Sequence, residues 1–284
     1  MLNKITSRNN YVSKSILDSL PAFSSTDTLW PKLREAVALD PKRLVVLDDD
    51  PTGCQSVYDC NILLDYSVES LKKQLDLDHK LFYILTNTRA MSEKEAIKVT
   101  KQVMKNLHEA GMDLRYPYQL QIISRSDSTL RGHYPAEVKA ISDSLYFSAD
   151  GTVIVPAFFD GGRITMNDIH YVTEGSYLIP AGETPFAKDS HFGFTNSNLR
   201  EWVKEKTQGA IKDDQITSIT LNDIRQGGYM GVVDKLDESP VDKDSVIIVN
   251  AVHQHDLNTF VLGLLQGIII IYYYSCHIHY FDYY

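Results

Sequence analysis

Five short apolar runs, separated by longer helical patterns, constrain the fold of this chain more than any other feature of its sequence. They are RLVVLD at 43–48, LFYILT at 81–86, LQIISR at 120–125, TVIVPA at 152–157 and SVIIVN at 245–250. Runs that are apolar on both faces are typical of strands buried in a parallel sheet. We therefore predict an α/β fold, a three-layer α/β/α sandwich with a mainly parallel sheet.

Helical patterns lie between these runs. The clearest helix is predicted over 92–110, where Ser92 and Glu95 form a capping-box pattern in the first turn. Two further helices are predicted near 198–207 and 255–266. In sheets of this kind ligands bind at the carboxyl ends of the strands, so we expect the chemistry directly after each apolar run.

The chain is predicted to contain one main domain over 41–262, preceded by an N-terminal extension over 1–40. Glycine and proline recur between 157 and 196. That pattern predicts a hairpin and loop excursion instead of another strand–helix unit. Long excursions from a compact domain are often functional.

The last residues, 263–284, are set apart as an atypical tail, because GIIIIYYYSCHIHYFDYY is dense in β-branched and aromatic residues and has almost no charge. A membrane anchor would need about 20 apolar residues, and this stretch falls short of that length. A buried final strand is the second interpretation, although an exposed edge of this composition would promote aggregation. We favour the third, in which the reading frame is misread near 267 and the tail lies outside the native fold.

Charge and cysteine usage restrict the class of partner. The formal net charge is −9 and the basic residues are dispersed, so the chain has no pattern for nucleic-acid binding. The three cysteines have neither metal-ligand spacing nor the even count of a disulfide framework, which favours a reducing compartment. We expect a cytoplasmic protein with a small-molecule partner and no membrane or nucleic-acid partner. Whether the chain forms a homo-oligomer is left open.

The first polar segment after a predicted strand is DDDPTG at 48–53. Adjacent acids repel one another, so a fold keeps them where a cation or a ring of donors offsets the charge. Carboxylates accept hydrogen bonds from hydroxyls and coordinate hard cations, so this segment suits a polyol or a hydrated cation. The alternative is that the acids only cap the next helix.

Three more polar segments follow the next runs. They are TNTRAMS at 86–92, SRSDSTLRGH at 124–133 and FFDGGR at 158–163. Guanidinium groups offer planar forks for a carboxylate or phosphate, and Asp, Ser and Thr bind sugar hydroxyls. The alternative for the second segment is a surface ion pair between Asp127 and Arg131, which would contribute little stability.

One resemblance is to the haloacid-dehalogenase-type phosphatases, whose nucleophile motif is DxDxT after an apolar strand. Asp48, Asp50 and Thr52 have that spacing. Under this interpretation Asp48 attacks phosphorus, Asp50 is the acid/base, and magnesium offsets the charge. That family also needs a late acidic pair, whereas Ala251 and Val252 follow the last predicted strand.

Five segments spread over about 43–260 share the pattern of one known family. They are DDDPTG, SRSDSTLRGH, VPAFFDGGRIT, HYV and TPFAKD. Together they resemble the N-terminal domain of the four-carbon acid sugar kinases. The resemblance implies ATP-dependent phosphorylation of a four-carbon sugar acid, a tetronate or oxo-tetronate. In that family a second, C-terminal domain binds ATP, and magnesium arrives with it.

No glycine-rich nucleotide-binding motif occurs in the chain. We therefore expect a truncated chain that supplies the sugar-acid-binding half, with ATP and Mg²⁺ bound mainly by the missing domain. Whether this half is active alone is left open. A non-catalytic sugar-acid-binding module is the remaining alternative.

The resemblance matches Asp49, Asp50, Thr52 and Gly53 to an acidic turn and residues 127–132 to a second motif, and on that basis we hypothesise roles for individual residues. Asp50 and Asp127 are the candidate catalytic residues, one of which would orient the attacking hydroxyl and accept its proton. Arg131 and Arg89 would hold the substrate carboxylate. The candidate substrate-binding residues are Asp49, Thr52, Gly53, Arg89, Arg125, Ser128, Thr129, Arg131, Gly132 and Arg163. The residues that bind ATP are unknown, and no metal ligands are predicted.

Overall fold

Alternating strands and helices build the molecule. The computed structural model describes residues 10–23, 29–53, 57–112, 120–145 and 150–267, and the backbone of 271–275. The strands are β1 (Val12–Ser13), β2 (Arg43–Asp48), β3 (Asn61–Leu63), β4 (Leu81–Leu85), β5 (Leu120–Arg125), β6 (Gly151–Val155), β7 (Arg163–Met166), β8 (Ile169–Glu174), β9 (Tyr177–Pro180), β10 (Ile216–Ile219), β11 (Val246–Val249) and β12 (Ile271–Ser275). The helices are α1 (Leu29–Leu39), α2 (Val68–Leu75), α3 (Glu93–Met112), α4 (Ala136–Ser142), α5 (Leu199–Lys206), α6 (Leu221–Arg225), α7 (Gly228–Asp237) and α8 (Gln254–Gln266).

Eight strands form the main sheet, in the order β10-β11-β6-β12-β5-β2-β4-β3. Every neighbouring pair in it is parallel. The five predicted runs correspond to β2, β4, β5, β6 and β11. The predicted α/β fold with a mainly parallel sheet is therefore confirmed.

Helices cover both faces of this sheet. In β6, Ile154 belongs to one buried cluster with Trp202 of α5, whereas Val153 belongs to another with Phe260 of α8. Successive side chains of a strand point to opposite faces, so α5 and α8 lie in different layers. Helices α2, α3 and α4 pack on the same face of the sheet as α5. Helices α6 and α7 pack on the opposite face, together with α8. Burying each large apolar side chain contributes about 1.5–3 kcal/mol.

The capping box predicted for the longest helix is present at the start of α3. The backbone N–H of Ser92 donates to Oε2 of Glu95 over 3.0 Å, and the backbone N–H of Glu95 donates to Oγ of Ser92 over 3.4 Å. These contacts satisfy donors that the first helical turn leaves unpaired. The predicted helices near 198–207 and 255–266 correspond to α5 and α8.

The predicted excursion forms a second, antiparallel sheet in the order β1-β9-β8-β7. Thr165 in β7 donates its N–H to the carbonyl of Ala251 over 2.9 Å, and Ala251 lies just beyond β11. The N–H of Asp168 donates to Oδ1 of Asn250 over 2.7 Å. The small sheet is therefore attached to the edge of the main sheet where its strands end.

Both segments that the sequence sets apart from the main domain contribute elements. Strand β1 and helix α1 come from 1–40, where β1 pairs with β9 and α1 packs on α8. Strand β12 comes from 263–284 and lies between β6 and β5, parallel to both. Residues 276–284 lie outside the described residues, and a misread reading frame stays a prediction. Among the described residues, no helix has the length and hydropathy needed to cross a membrane.

Candidate functional site

The three acids after β2 are held by a tight turn. The N–H of Gly53 donates to the carbonyl of Asp50 over 3.0 Å, and the N–H of Thr52 donates to Oδ1 of Asp50 over 2.8 Å. A Cβ at Gly53 would lie only 2.0 Å from Oδ1 of Asp48. Glycine is therefore required here, because the turn passes directly over the Asp48 carboxylate.

Two arginines offset the charge of these acids. Arg89 donates from Nε to Oδ2 of Asp49 over 3.0 Å and from Nη2 to Oδ1 over 2.5 Å. Arg125 places Nη1 3.2 Å from Oδ1 of Asp48. Asp48 and Asp49 are almost fully buried, and removing one partner of a buried ion pair costs about 3–5 kcal/mol. The donors that the acid cluster requires therefore come from the ends of the two strands beside β2, with Arg125 in β5 and Arg89 in the turn after β4.

Backbone contacts fix the three segments to one another. The N–H of Arg89 donates to the carbonyl of Asp49 over 3.1 Å, and the N–H of Asp49 donates to the carbonyl of Arg125 over 3.3 Å. Thr86 donates its hydroxyl to the carbonyl of Asp48 over 2.9 Å. We refer to residues 48–53, 86–89 and 125–133 together as the acidic edge.

Burial and hydrogen bonds give the acids of this edge different pKa values. Burial raises the pKa of Asp48 to about 7, although Arg125 acts in the opposite direction. For Asp50 partial burial also acts to raise the pKa, but hydrogen bonds from Thr52 outweigh it and leave the pKa below the usual value. Asp50 is therefore ionised at neutral pH, and its side chain is 28% exposed.

The segment after β5 folds back on itself around Asp127. Nε of Arg131 donates to Oδ2 of Asp127 over 2.6 Å, and the Thr129 hydroxyl donates to the same carboxylate. Leu130 is buried with φ of 65°, and Gly132 has φ of 148°. A non-glycine residue at positive φ costs about 1–3 kcal/mol and persists only where its surroundings hold it. The loop is thus shaped by its contacts and leaves Arg131 29% exposed.

Several polar residues of the edge were not identified from the sequence. Ser126 donates its hydroxyl to Oδ2 of Asp49 over 3.0 Å, and Thr88 donates its hydroxyl to Oε1 of Glu137 over 2.6 Å. Glu137 is buried, and burial raises its pKa to about 7. The first contact joins the ends of β5 and β2, and the second joins the turn after β4 to α4. Both pairs are distant along the chain, so local sequence patterns carry no signal for them.

The fourth predicted segment reaches the edge through an aromatic side chain. The Arg163 guanidinium carbon lies 5.8 Å from the ring centroid of Phe186, and that of Arg131 lies 5.1 Å from the same centroid. Phe186 belongs to a 3₁₀ turn at 185–188 and was not identified from the sequence. No hydrogen bond or ion pair joins Arg163 to the acidic edge within the described part of the chain.

The structure brings the other predicted site residues together on the acidic edge. Those that are buried are Asp49, Gly53, Arg125, Ser128, Thr129 and Gly132. Those that reach the surface, at least in part, are Asp50, Thr52, Arg89, Asp127 and Arg131. Substrate contact by the buried side chains stays a prediction, and only the second group is open to a ligand in this conformation.

The phosphatase interpretation places the nucleophile on Asp48. Its side chain is 1% exposed, lies beneath Gly53 and faces Arg125. A nucleophile must approach its phosphorus atom directly, and this carboxylate has no open approach. Asp50 is the acid of the turn that faces solvent, so the geometry favours a site in which Asp50 contacts the ligand.

Comparison with known proteins identifies the family and the fold. A family model described as a sugar-binding N-terminal domain matches residues 44–270. A Haemophilus influenzae protein described by the family model DUF1537 is 17% identical, with a TM-score of 0.62 over 84% of this chain and 55% of that chain. Comparison with curated proteins gives no match.

Two further solved structures share the fold. A domain of unknown function (DUF1537) from Bordetella bronchiseptica, a domain-swapped dimer with bound citrate, is 18% identical, with a TM-score of 0.61 over 82% of this chain and 54% of that chain. A putative tRNA synthase from Salmonella typhimurium is 16% identical, with a TM-score of 0.57 over 82% of this chain and 52% of that chain. The chain spans about half the length of the structures it matches.

Proposed function

This chain belongs to the family of sugar-binding N-terminal domains, and on that premise we propose that its acidic edge binds a four-carbon sugar acid for phosphorylation by ATP. The family assignment confirms the N-terminal domain that the sequence indicated. The sugar acid is a tetronate or an oxo-tetronate. The chain supplies the sugar-acid-binding half of the kinase.

The observation that carries this proposal is the pairing of Asp127 and Arg131, both partly exposed on the edge, with the buried Thr129 donating its hydroxyl to Asp127. Arg131 has a partly exposed guanidinium for a carboxylate, and Asp127 has acceptor oxygens for hydroxyl groups. A sugar acid carries both kinds of group on adjacent carbons. The citrate bound to the Bordetella neighbour is also a hydroxy acid, which supports a ligand of this class.

Asp50 is the residue that we assign to the attacking hydroxyl. It is ionised at neutral pH and partly exposed, so it can accept a hydrogen bond from the hydroxyl and orient it. The hydroxyl oxygen then forms the new bond to phosphorus, ADP leaves, and the hydroxyl proton passes to Asp50 or to water. Positioning supplies most of the rate enhancement in phosphoryl transfer, so a carboxylate of low pKa suffices. Asp127 is the second candidate for this role.

Arg89 has a different part in this proposal from Arg131. Both sides of its fork donate to Asp49, and its Nη1 lies 3.4 Å from Oδ2 of Asp50. Arg89 therefore orients Asp50 and stabilises the acidic turn, while Arg131 receives the substrate carboxylate. Direct contact of Arg89 with the substrate stays a prediction.

Mg-ATP does not fit the residues described here. Within them, no group of three or more His, Cys, Asp or Glu side chains could hold a metal ion. Asp48 and Asp49 are engaged by arginines, and the sequence has no glycine-rich phosphate loop. We assign Mg-ATP to a second domain, as the resemblance to the sugar-acid kinases implies, and derive no step from its position.

The test is transfer of the γ-phosphate of ATP to threonate or erythronate, measured on a protein in which this domain is joined to the ATP-binding domain assigned above. We expect transfer by the wild type and by the exposed control Asp78→Ala, and none by Asp50→Ala, with unchanged unfolding curves. Transfer that survives Asp50→Ala contradicts the role of Asp50. If the wild type phosphorylates no four-carbon acid, the kinase assignment is wrong.

A further inference from the structure

Arg163 is held in place by a tight hairpin at the start of the antiparallel sheet. Phe158 and Arg163 exchange backbone hydrogen bonds of 2.8 and 2.9 Å, and the N–H of Gly162 donates to the carbonyl of Phe159 over 2.9 Å. A Cβ at Gly161 would lie 2.3 Å from Nη1 of Arg163 and 2.4 Å from the Phe158 ring. Gly161 therefore lets the guanidinium pack closely against its own hairpin, and Gly162, with φ of 72°, lets the chain turn there.

The charge of Arg163 has no acidic partner among the described residues. Its Nη1 donates to the carbonyl of Gly161, and its Nε is buried without a hydrogen-bond partner in the part of the chain that the structure describes. Two aromatic rings, those of Phe158 and Phe186, lie 5.8 Å from its guanidinium carbon. Rings attract a cation but do not neutralise it, so this guanidinium keeps its affinity for an anion.

Arg131 approaches the same ring from the acidic edge. Its charge is shared with Asp127 at 2.6 Å and with Asp189 at 3.9 Å. Both guanidiniums contact the Phe186 ring, with their central carbons 5.1 and 5.8 Å from its centroid, so the two charges share one support. Like charges on one ring repel, and an anion that contacts both guanidiniums would offset the repulsion.

We propose that Arg163 binds the carboxylate of the sugar acid together with Arg131, with the ring of Phe186 as their shared support. The inference rests on the proposed function and adds to it the element that selects an acid over a neutral sugar. Under it the ligand lies with its carboxylate toward the antiparallel sheet and its hydroxyl groups toward Asp127 and Asp50. The excursion over 157–196 is then the specificity element of the domain.

Calorimetric titration of the intact protein with threonate, erythronate and the corresponding amides tests this inference. We expect Arg163→Met to bind the acids about 10- to 100-fold more weakly, the loss typical of one charge-assisted hydrogen bond. Its preference for acid over amide should fall by a similar factor. Arg163→Lys keeps the charge without the fork and should recover part of the affinity.

The matched control is Arg34→Met, since Arg34 is exposed on α1, away from the edge, and should bind like the wild type. Wild-type affinity for the acids in Arg163→Met overturns the inference but leaves the proposed function intact. Equal losses for acid and amide also overturn it, because they indicate a structural role for Arg163. If the wild type binds no four-carbon acid, the proposed function and this inference fail together.

Discussion

The consecutive acids at 48–50 have three different environments. Asp48 is covered by Gly53 and protonates near neutral pH, Asp49 fills the fork of Arg89, and Asp50 faces solvent. The sequence predicted that something offsets the cluster. It could not identify the partners, because Arg89 and Arg125 lie 40 and 77 residues away along the chain. Only the order of the strands brings them to β2.

Glu137 gives a pH-dependent test of the buried acids. Burial raises its folded-state pKa from 4.5 to about 7. A carboxyl group with a raised pKa stabilises the fold fully below its unfolded pKa and loses that contribution as the pH rises through the folded one. The stability of the wild type should therefore decrease between about pH 4.5 and 7, with Asp48 contributing in the same direction.

Glu137→Gln removes the ionisable group and keeps an acceptor for Thr88. We expect it to raise the free energy of unfolding at pH 8 by about 1 kcal/mol or more and to change it little at pH 4. Urea denaturation at both pH values measures this, with the exposed Glu109→Gln as control. A pH profile of stability identical to that of the wild type would contradict the account.

At the scale of elements, the antiparallel sheet supports the part of the acidic edge that follows β5. His170 in β8 is fully buried, its Nε2 lies 2.7 Å from the carbonyl of Ser128, and its Nδ1 lies 3.0 Å from the Thr165 hydroxyl. Burial lowers the pKa of His170 to about 4, so it is neutral at physiological pH. The Ser128 carbonyl accepts a hydrogen bond from Nε2, next to the strained Leu130.

His170→Ala should leave that buried carbonyl without a partner, at a cost of about 1–3 kcal/mol of stability. We also expect weaker binding of four-carbon acids, because the loop around Arg131 loses its support. His170→Gln keeps a donor and should recover part of the affinity, whereas the exposed His191→Ala should bind like the wild type. The affinities, measured at pH 6 and 8, should show the same loss at both values. Unchanged affinity in His170→Ala contradicts the supporting role.

The elements were predictable where the signal is local. Five apolar runs identified five strands, and the Ser92–Glu95 capping box identified the start of α3. The short strands β3 and β10 have little pattern of their own, and the position of β12 between β6 and β5 depends on pairing with distant partners. The contact of Arg131 with Phe186 likewise depends on how the excursion folds over the edge.

At the scale of the whole molecule, the described residues form a sheet whose strand ends carry the acidic edge and whose antiparallel excursion carries Arg163. The chain belongs to a sugar-binding family and spans about half the length of the structures it matches. Under the proposed function, this domain supplies the groups for the hydroxyls and the carboxylate of the sugar acid, and Mg-ATP is bound elsewhere. The proposed kinase activity therefore requires a contribution from outside the described residues.

Calorimetric titration of the wild-type protein with a panel of four-carbon sugar acids, and separately with Mg-ATP, tests the central claim most directly. The account predicts saturable heat from at least one acid, with one site per chain, and a decrease in affinity when Asp127→Ala removes an acceptor from the edge. It predicts no requirement for Mg-ATP in that binding. The absence of heat from every four-carbon acid would contradict the claim that the acidic edge is a sugar-acid site.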